Sequence, residues 1–293
     1  MKKIVILGCE NSHADSFLAL IREKEEFQNV SVIGVYSNEP EAAERLHERF
    51  GVPVMERYDD AVGKVDGVMI TARRGDLHSP YAAPYLASGI PMFLDKPITQ
   101  NEADGVRLMA QCKKHGVRLC GGSTCAHLPE VSELSRIAKS GEIGAVIGGH
   151  LACPIQLSSV YGGFYFYAEH LVDVMLRVFG TKICRVRVEK SPHAWNMLAD
   201  YGDFTVCGTW GEGAYYYSCS VLGKTGIATR QMPITTESFL PEMEAMTALL
   251  RGGAMQKTYE EFLLPVFVLT AADRAALSGE WEEIHPIILS EDI

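Results

Sequence analysis

Two side chains stand out by type and setting. Lys96 closes an apolar run inside FLDKPIT, between Asp95 and Pro97, and His170 lies in the helix-like segment after the glycine pair of GGFYFYAEHLVD. Moving a hydride to or from a carbinol carbon needs a base for the hydroxyl proton and a donor that polarises the oxygen, each within about 3 Å of it. An imidazole and an ammonium can fill those roles. Tyr167 at i−3 and Asp173 at i+3 share roughly one helix face with His170, whereas Glu169 points about 100° away. With that divergence and no second histidine at i+4, Glu169, His170 and Asp173 are not expected to hold a metal. Tyr165 and Tyr167 immediately precede the histidine and would wall a pocket with rings and hydroxyls suited to a sugar.

A second constellation is GCENSH, residues 8–13, between the apolar runs KIVIL and ADSFLALI. A dinucleotide turn there would read G-x-G-x-x-G; Gly8 is present, but Glu10 and His13 occupy the second and third glycine positions. Two unit charges 4 Å apart repel by about 1 kcal/mol in water and about 4 at an effective dielectric near 20, so Glu10 must point away from a pyrophosphate for binding to be strong. Asn11 and Ser12 are good helix N-caps, and the helix start offers N–H groups and a positive dipole end to an anion, with His13 as a further donor. VSVIGVY ends at Tyr36-Ser37-Asn38, where an NAD-selective fold would place an acid and an NADP-selective one an arginine. Neither is present. Ser37 and Asn38 can bond either form, and Glu39 and Glu41 disfavour an added phosphate, so NAD is expected, with NADP not excluded. Arg73 and Arg74, after GVMITA, could meet the cofactor or an acidic substrate.

The elements that must position these groups follow two rhythms. Over the first 120 residues, short β-branched runs (KIVIL, VSVIGVY, GVMITA, PMFL, VRLC) alternate with helical patterns over 12–27, 40–50, 78–89 and 100–115, the pattern of a doubly wound parallel sheet. Asn38 with Glu41 and Thr99 with Glu102 have capping-box spacing. Beyond residue 122 come a helix over 129–139, a strand over 146–153, a helix over 167–179, and β-rich runs such as ICRVRVEK, DFTVCGTW and AYYYSCSVL joined by turns. Helices over 237–251 and 258–278 are expected to cover one face of an open, mostly antiparallel sheet, whose other face, apolar as VCGTW and YYYSCSVL suggest, would be buried against a second subunit. The expected organisation is a dinucleotide-binding Rossmann domain over 1–122 and an α+β domain for substrate and oligomerisation over 123–293.

Composition narrows the partners. The chain has 293 residues, 47% of them apolar, and 27 basic against 37 acidic side chains give a net charge of −10 with no basic cluster. Nucleic acid and anionic membranes are therefore poor partners. Apolar runs of about ten residues are half of what a bilayer span needs, and KIVIL is too short for a signal peptide, so a cytoplasmic location is expected. The 8 cysteines include no C-x-x-C pair and read as buried thiols in a reducing compartment.

The GCENSH turn, FLDKPIT, GGFYFYAEHLVD and the domain order together resemble the Gfo/Idh/MocA family of nicotinamide-dependent sugar and polyol dehydrogenases over essentially the whole chain. The stretch ITARRGDLHSPYAAPYLASGIPMFLDKP is similar to the family's segment leading to its E-K-P motif, including His78. The resemblance implies a cofactor site at Gly8, Glu10, Asn11, Ser12, His13, Ser37, Asn38, Thr71, Ala72, Arg73, His78, Asp95 and Lys96. It further implies that Lys96 hydrogen-bonds substrate and nicotinamide ribose, that His170 is the general acid and base, and that the protein is a homodimer or homotetramer. The family pattern carries an aspartate four residues before this histidine, where Phe166 stands here. A phenyl ring cannot orient an imidazole, so Tyr167 or Asp173 must substitute, or turnover is lost and the chain is a binding or regulatory protein on the same scaffold.

Overall fold

The β-branched runs of the first 122 residues become five parallel strands in the computed structural model, which describes residues 1–289. They are β1 (Lys2–Leu7), β2 (Val30–Tyr36), β3 (Gly67–Ile70), β4 (Met92–Asp95) and β5 (Leu119–Gly122), in the order β2-β1-β3-β4-β5. Helices α1 (Ser12–Glu23), α2 (Pro40–Phe50), α3 (His78–Ala82) and α4 (Glu102–Lys114) connect them. Because β1 lies between β2 and β3, the winding reverses at the carboxyl ends of β1 and β3, the position where open α/β sheets bind ligands. Beyond β2 the sheet continues only as an isolated bridge between Val35 and Val54.

Helix ends depart from expectation for local reasons. Helix α1 stops at Glu23 because Lys24 is extended, and Glu25–Phe27 is a separate 3-10 turn. The cap of α2 is Glu39 rather than Asn38, with Pro40 at the first helical position, and α4 is capped by Asn101 rather than Thr99, its side chain accepting from Asp104 N–H at 2.8 Å. The expected helix over 78–89 is α-helical only to Ala82 and continues as a 3-10 turn over Ala83–Ser88, since Pro84 has no N–H to donate.

The second unit contains α5 (Pro129–Ser140), β6 (Val146–Ile155), α6 (Tyr165–Phe179), β7 (Arg185–Lys190), β8 (Ala194–Asp200), β9 (Thr205–Glu212), β10 (Ser218–Gly223) and β11 (Ile227–Gln231). After it come α7 (Leu240–Leu250), α8 (Tyr259–Ser278) and the short β12 (Glu282–Glu283). The second sheet runs β11-β10-β6-β9-β8-β7-β12, antiparallel throughout except for the β6–β9 pair. Helix α6 lies close on it because the facing strands carry glycine: a Cβ on Gly208 would come within 2.8 Å of Leu171, and one on Gly149 within 2.1 Å of Phe179.

Two expectations about this half are corrected. The second unit is not the unbroken stretch 123–293: it comprises Ser123–Ile234 and Leu263–Ile287, while Thr235–Phe262 belongs to the first unit. Helix α7 therefore does not cover the second sheet. Its Met243, Met246 and Leu250 pack with Phe17, Met69 and Phe93, burying the methionines and leucine against apolar side chains of α1, β3 and β4. The open face of the second sheet is also less apolar than VCGTW and YYYSCSVL suggest. Val206, Trp210, Cys219 and Val221 turn into the core shared with α5 and α6, whereas His150, Thr209 and Asn196 are hydrogen-bonded in one chain on the outward side and Ser220 bonds Thr229. All 8 cysteines are free thiols, and no helix of the described residues is long and apolar enough to cross a membrane.

Candidate functional site

In the first unit the chemistry gathers at the carboxyl ends of β1 to β4. Gly8 sits at φ +81°, and a Cβ there would lie 2.3 Å from the Cα of Ala72, so only glycine lets β1 pass the loop after β3. Thr71 hydroxyl donates to Gly8 O, and Asn11 closes the turn by donating from Nδ2 to Thr71 O at 2.9 Å while its Oδ1 accepts from His13 N–H at 2.9 Å. Ser12 opens α1 at the surface.

Glu10 is bonded to the residue that follows β2. Its side chain is buried (7% exposed), and Oε1 accepts from the Ser37 hydroxyl at 2.5 Å while Oε2 lies 3.4 Å from Arg73 N–H. The carboxylate missing from the end of β2 is thus supplied from the turn after β1. Burial, and then the nearby Glu10 charge, push the Cys9 thiol up to about 12, leaving it protonated and inert. Asn38 is exposed next to Ser37.

His13 is committed elsewhere than a phosphate at one nitrogen: Nδ1 lies 2.5 Å from Asp95 Oδ2. Asp95 is fully buried at the end of β4, and its Oδ1 accepts from Lys96 N–H at 2.7 Å. Burial opposes its charge, but His13 and Lys96 outweigh that and hold its carboxyl below the ordinary range. Lys96 is itself only 4% exposed, so it is no solvated surface lysine. His78 is buried with Nε2 against Ala72 O at 2.9 Å, and burial keeps its ring neutral by lowering its pKa. Arg74 is engaged at the surface with Asp76.

A cavity of about 410 Å³ opens beside this turn, lined by Glu10, Asn11, Ser12, Asp15, Arg45, Arg49 and Arg73 among others. Arg45 and Arg49 pair with Asp15 at 3.1 and 2.8 Å, so the lining joins a helix start and guanidinium groups to two carboxylates, Asp15 held by these arginines and Glu10 by Ser37. The helix start and guanidinium groups fit the pyrophosphate of a dinucleotide, with both carboxylates already engaged by other groups.

In the second unit His170 is buried near the start of α6. Its Nδ1 lies 2.7 Å from the hydroxyl of Ser123, which immediately follows β5, and 3.5 Å from Cys125 Sγ. Asp173 Oδ2 accepts from Ser123 N–H at 2.7 Å. The rings of Tyr167 and Tyr217 stand 5.8 and 5.7 Å from the imidazole. Burial, with Cys125, Cys153 and Tyr167 close by, raises the Tyr217 hydroxyl far above its ordinary pKa, so it remains a neutral donor. Phe166 is buried against Tyr161 and Tyr167. The hydroxyl of Tyr165 bonds Asp273 at 3.3 Å. Ser123 is the functional residue that sequence reading missed; its one signal is a hydroxyl directly after the strand-ending CGG. Among the described residues no group of three or more metal-type ligands gathers anywhere.

Residues 2–123 match the model of the oxidoreductase family with an NAD-binding Rossmann fold. Residues 2–123 thus carry the NAD-binding domain of the Gfo/Idh/MocA type. Inositol 2-dehydrogenase of Burkholderia lata is 25% identical over 254 residues, spanning 77% of this chain and 73% of that one. A protein of Amycolatopsis mediterranei named as a UDP-kanosamine synthase oxidoreductase subunit is 25% identical over 189 residues, and the match spans only 52% of its length. Among solved structures, scyllo-inositol dehydrogenase from Lactobacillus casei with NAD(H) and scyllo-inositol aligns at a TM-score of 0.83 and 17% identity, over 97% of this chain and 99% of that chain. The likeness to that structure is one of fold. The matched first unit is of the NAD-binding type.

Proposed function

We propose that this protein is a member of the Gfo/Idh/MocA family and interconverts a carbinol and a carbonyl on a polyol or sugar, with NAD as hydride partner. The first unit holds the cofactor around Gly8, Asn11, Ser37 and Arg73, and the second holds the substrate. The observation that carries the reading is His170: a buried imidazole fixed at one ring nitrogen and walled by Tyr167 and Tyr217. NAD, when bound, accepts or returns the hydride. Lys96 donates a hydrogen bond to the substrate oxygen, and His170 takes up or returns the hydroxyl proton. The aromatic rings keep water from the imidazole and give a sugar ring an apolar surface. Inositols are the first substrates to try, because the Burkholderia relative is an inositol 2-dehydrogenase. Association into a dimer or tetramer through the open face of the second sheet belongs to the same reading, supported by exposed Ile147, Leu198 and Ile227 on its strands or their flanks.

A rival reading draws on the Glu10–Ser37 hydrogen bond, which sets a carboxylate where the adenine ribose would be recognised. If that carboxylate excludes the ribose, the protein is a non-catalytic binding module. Titration with NADH and NADPH, followed by nicotinamide fluorescence, separates the two: the dehydrogenase reading requires a submillimolar Kd for NADH. NAD reduction with myo-inositol, scyllo-inositol and open-chain polyols then identifies the substrate class.

A further inference from the structure

Phenylalanine at position 166 leaves His170 without the carboxylate that the family pattern places one helical turn upstream. The fold gives the ring another partner. Ser123 is fully buried, and its Oγ lies 2.7 Å from His170 Nδ1. The serine is itself fixed on three sides. Its N–H donates to Asp173 Oδ2 at 2.7 Å, its carbonyl accepts from Ala126 N–H at 3.0 Å, and its Oγ accepts from Cys125 N–H at 3.2 Å.

Counting protons decides which way the bond to the ring runs. A hydroxyl has one O–H and two lone pairs. Were Nδ1–H the donor, both lone pairs of Ser123 would be used and its buried O–H would need a further acceptor, at a cost of about 1–3 kcal/mol if it finds none. With the O–H donating to Nδ1, the hydroxyl gives one bond, accepts one from Cys125, and is satisfied.

We propose that Ser123 is the positioning residue of His170, and that its hydroxyl donates to Nδ1 so that the neutral imidazole carries its proton on Nε2. A carboxylate in this place can only accept, and so demands a proton on the nitrogen it touches. A hydroxyl that donates to Nδ1 sets the opposite tautomer. The consequence rests on the reading of His170 as the group that meets the substrate oxygen: the resting ring offers that oxygen an N–H, which polarises a carbonyl. Uptake of a carbinol proton at Nε2 needs the other tautomer, reached when Nε2 releases its proton to water and Nδ1 takes one up from water, and rotation of the Ser123 hydroxyl lets it accept from the new Nδ1–H. Asp173 acts through the backbone of Ser123, which links the i+3 acid to the ring without requiring the two side chains to touch.

The test is nitrogen-15 NMR of the whole protein labelled at histidine, recorded with the rings neutral and assigned by the signal lost in His170→Gln. Long-range proton–nitrogen correlations distinguish a protonated from a bare ring nitrogen. The expected result is a proton on Nε2 and a bare Nδ1 in the wild type, retained in Ser123→Thr and relaxed to a tautomer mixture in Ser123→Ala. A proton on Nδ1 in the wild type, or an unchanged spectrum in Ser123→Ala, overturns the proposal. Should Ser123→Ala not fold, the wild-type spectrum alone decides. Polyol turnover by His170→Ala is measured separately: full activity there removes the acid–base reading and leaves the tautomer result standing.

Discussion

The turn at residues 8–13 and the cluster around His170 each lack something that their motif would carry, and they make up for it differently. At the turn the replacements arise in place: Glu10 and His13 sit on the missing glycines and reach to Ser37 and Asp95 at the ends of β2 and β4. At His170 the replacement arrives from 47 residues away, as Ser123. A backbone requirement is met by rerouting side chains along the sheet edge, whereas a ring needs only one polar atom at hydrogen-bond distance. Such an atom can come from any element that the fold brings near.

The largest expected effect tests the His170 side of this contrast. His170→Ala should lower kcat/KM for polyol oxidation by about 10²–10⁴ with the Kd for NADH unchanged, and a large loss of NADH affinity would instead tie the residue to the cofactor. Gly8→Ala tests whether the turn has any backbone freedom left. With φ at +81° and a Cβ 2.3 Å from Ala72 Cα, it should destabilise by about 3 kcal/mol, read as a lower urea midpoint at unchanged slope.

Glu10→Gln asks whether the relocated carboxylate reads the cofactor or merely fills space. Removing its charge should shift the NADH-to-NADPH affinity ratio about tenfold toward NADPH; equal gains for both nucleotides would mark Glu10 as a plug. The smallest effect is a pH dependence of stability. Burial lowers the folded pKa of His78, so the unfolded chain binds more protons below about pH 6.5 and stability falls as pH drops through that point, by up to about 1.4 kcal/mol per unit. Asp95, also lowered in the folded state, contributes stability that is present above about pH 3.9 and is lost only below it. His78→Gln should remove the upper limb of the thermal-melting curve against pH and leave the lower one.

What was legible in the sequence follows the range of the interactions involved. Strand and helix alternation over the first 120 residues is written in local periodicity, and β1 to β5 fall where KIVIL, VSVIGVY, GVMITA, PMFL and VRLC stand. The alternation of buried and outward residues on β9 and β10 is likewise local, but which side helices cover is not, so an apolar reading of VCGTW and YYYSCSVL overestimated the open face. The departures at Glu10, His13 and Phe166 were visible as residue types. Their remedies were not, because Ser37, Asp95 and Ser123 are ordinary polar residues until tertiary structure brings them within hydrogen-bond reach. Helix α7 was legible as a helix, yet its methionines and leucines fit either sheet equally well on paper.

The return of α7 to the first unit constrains how the protein is made. Nascent residues 1–122 emerge with Phe17, Met69 and Phe93 lacking the side chains of Met243, Met246 and Leu250 that finish their packing. Synthesis must proceed past position 250 before that core can close, and the whole of Ser123–Ile234 is translated in the interval. A truncation at Gly122, natural as it looks from the strand pattern, would leave an apolar surface open to aggregation.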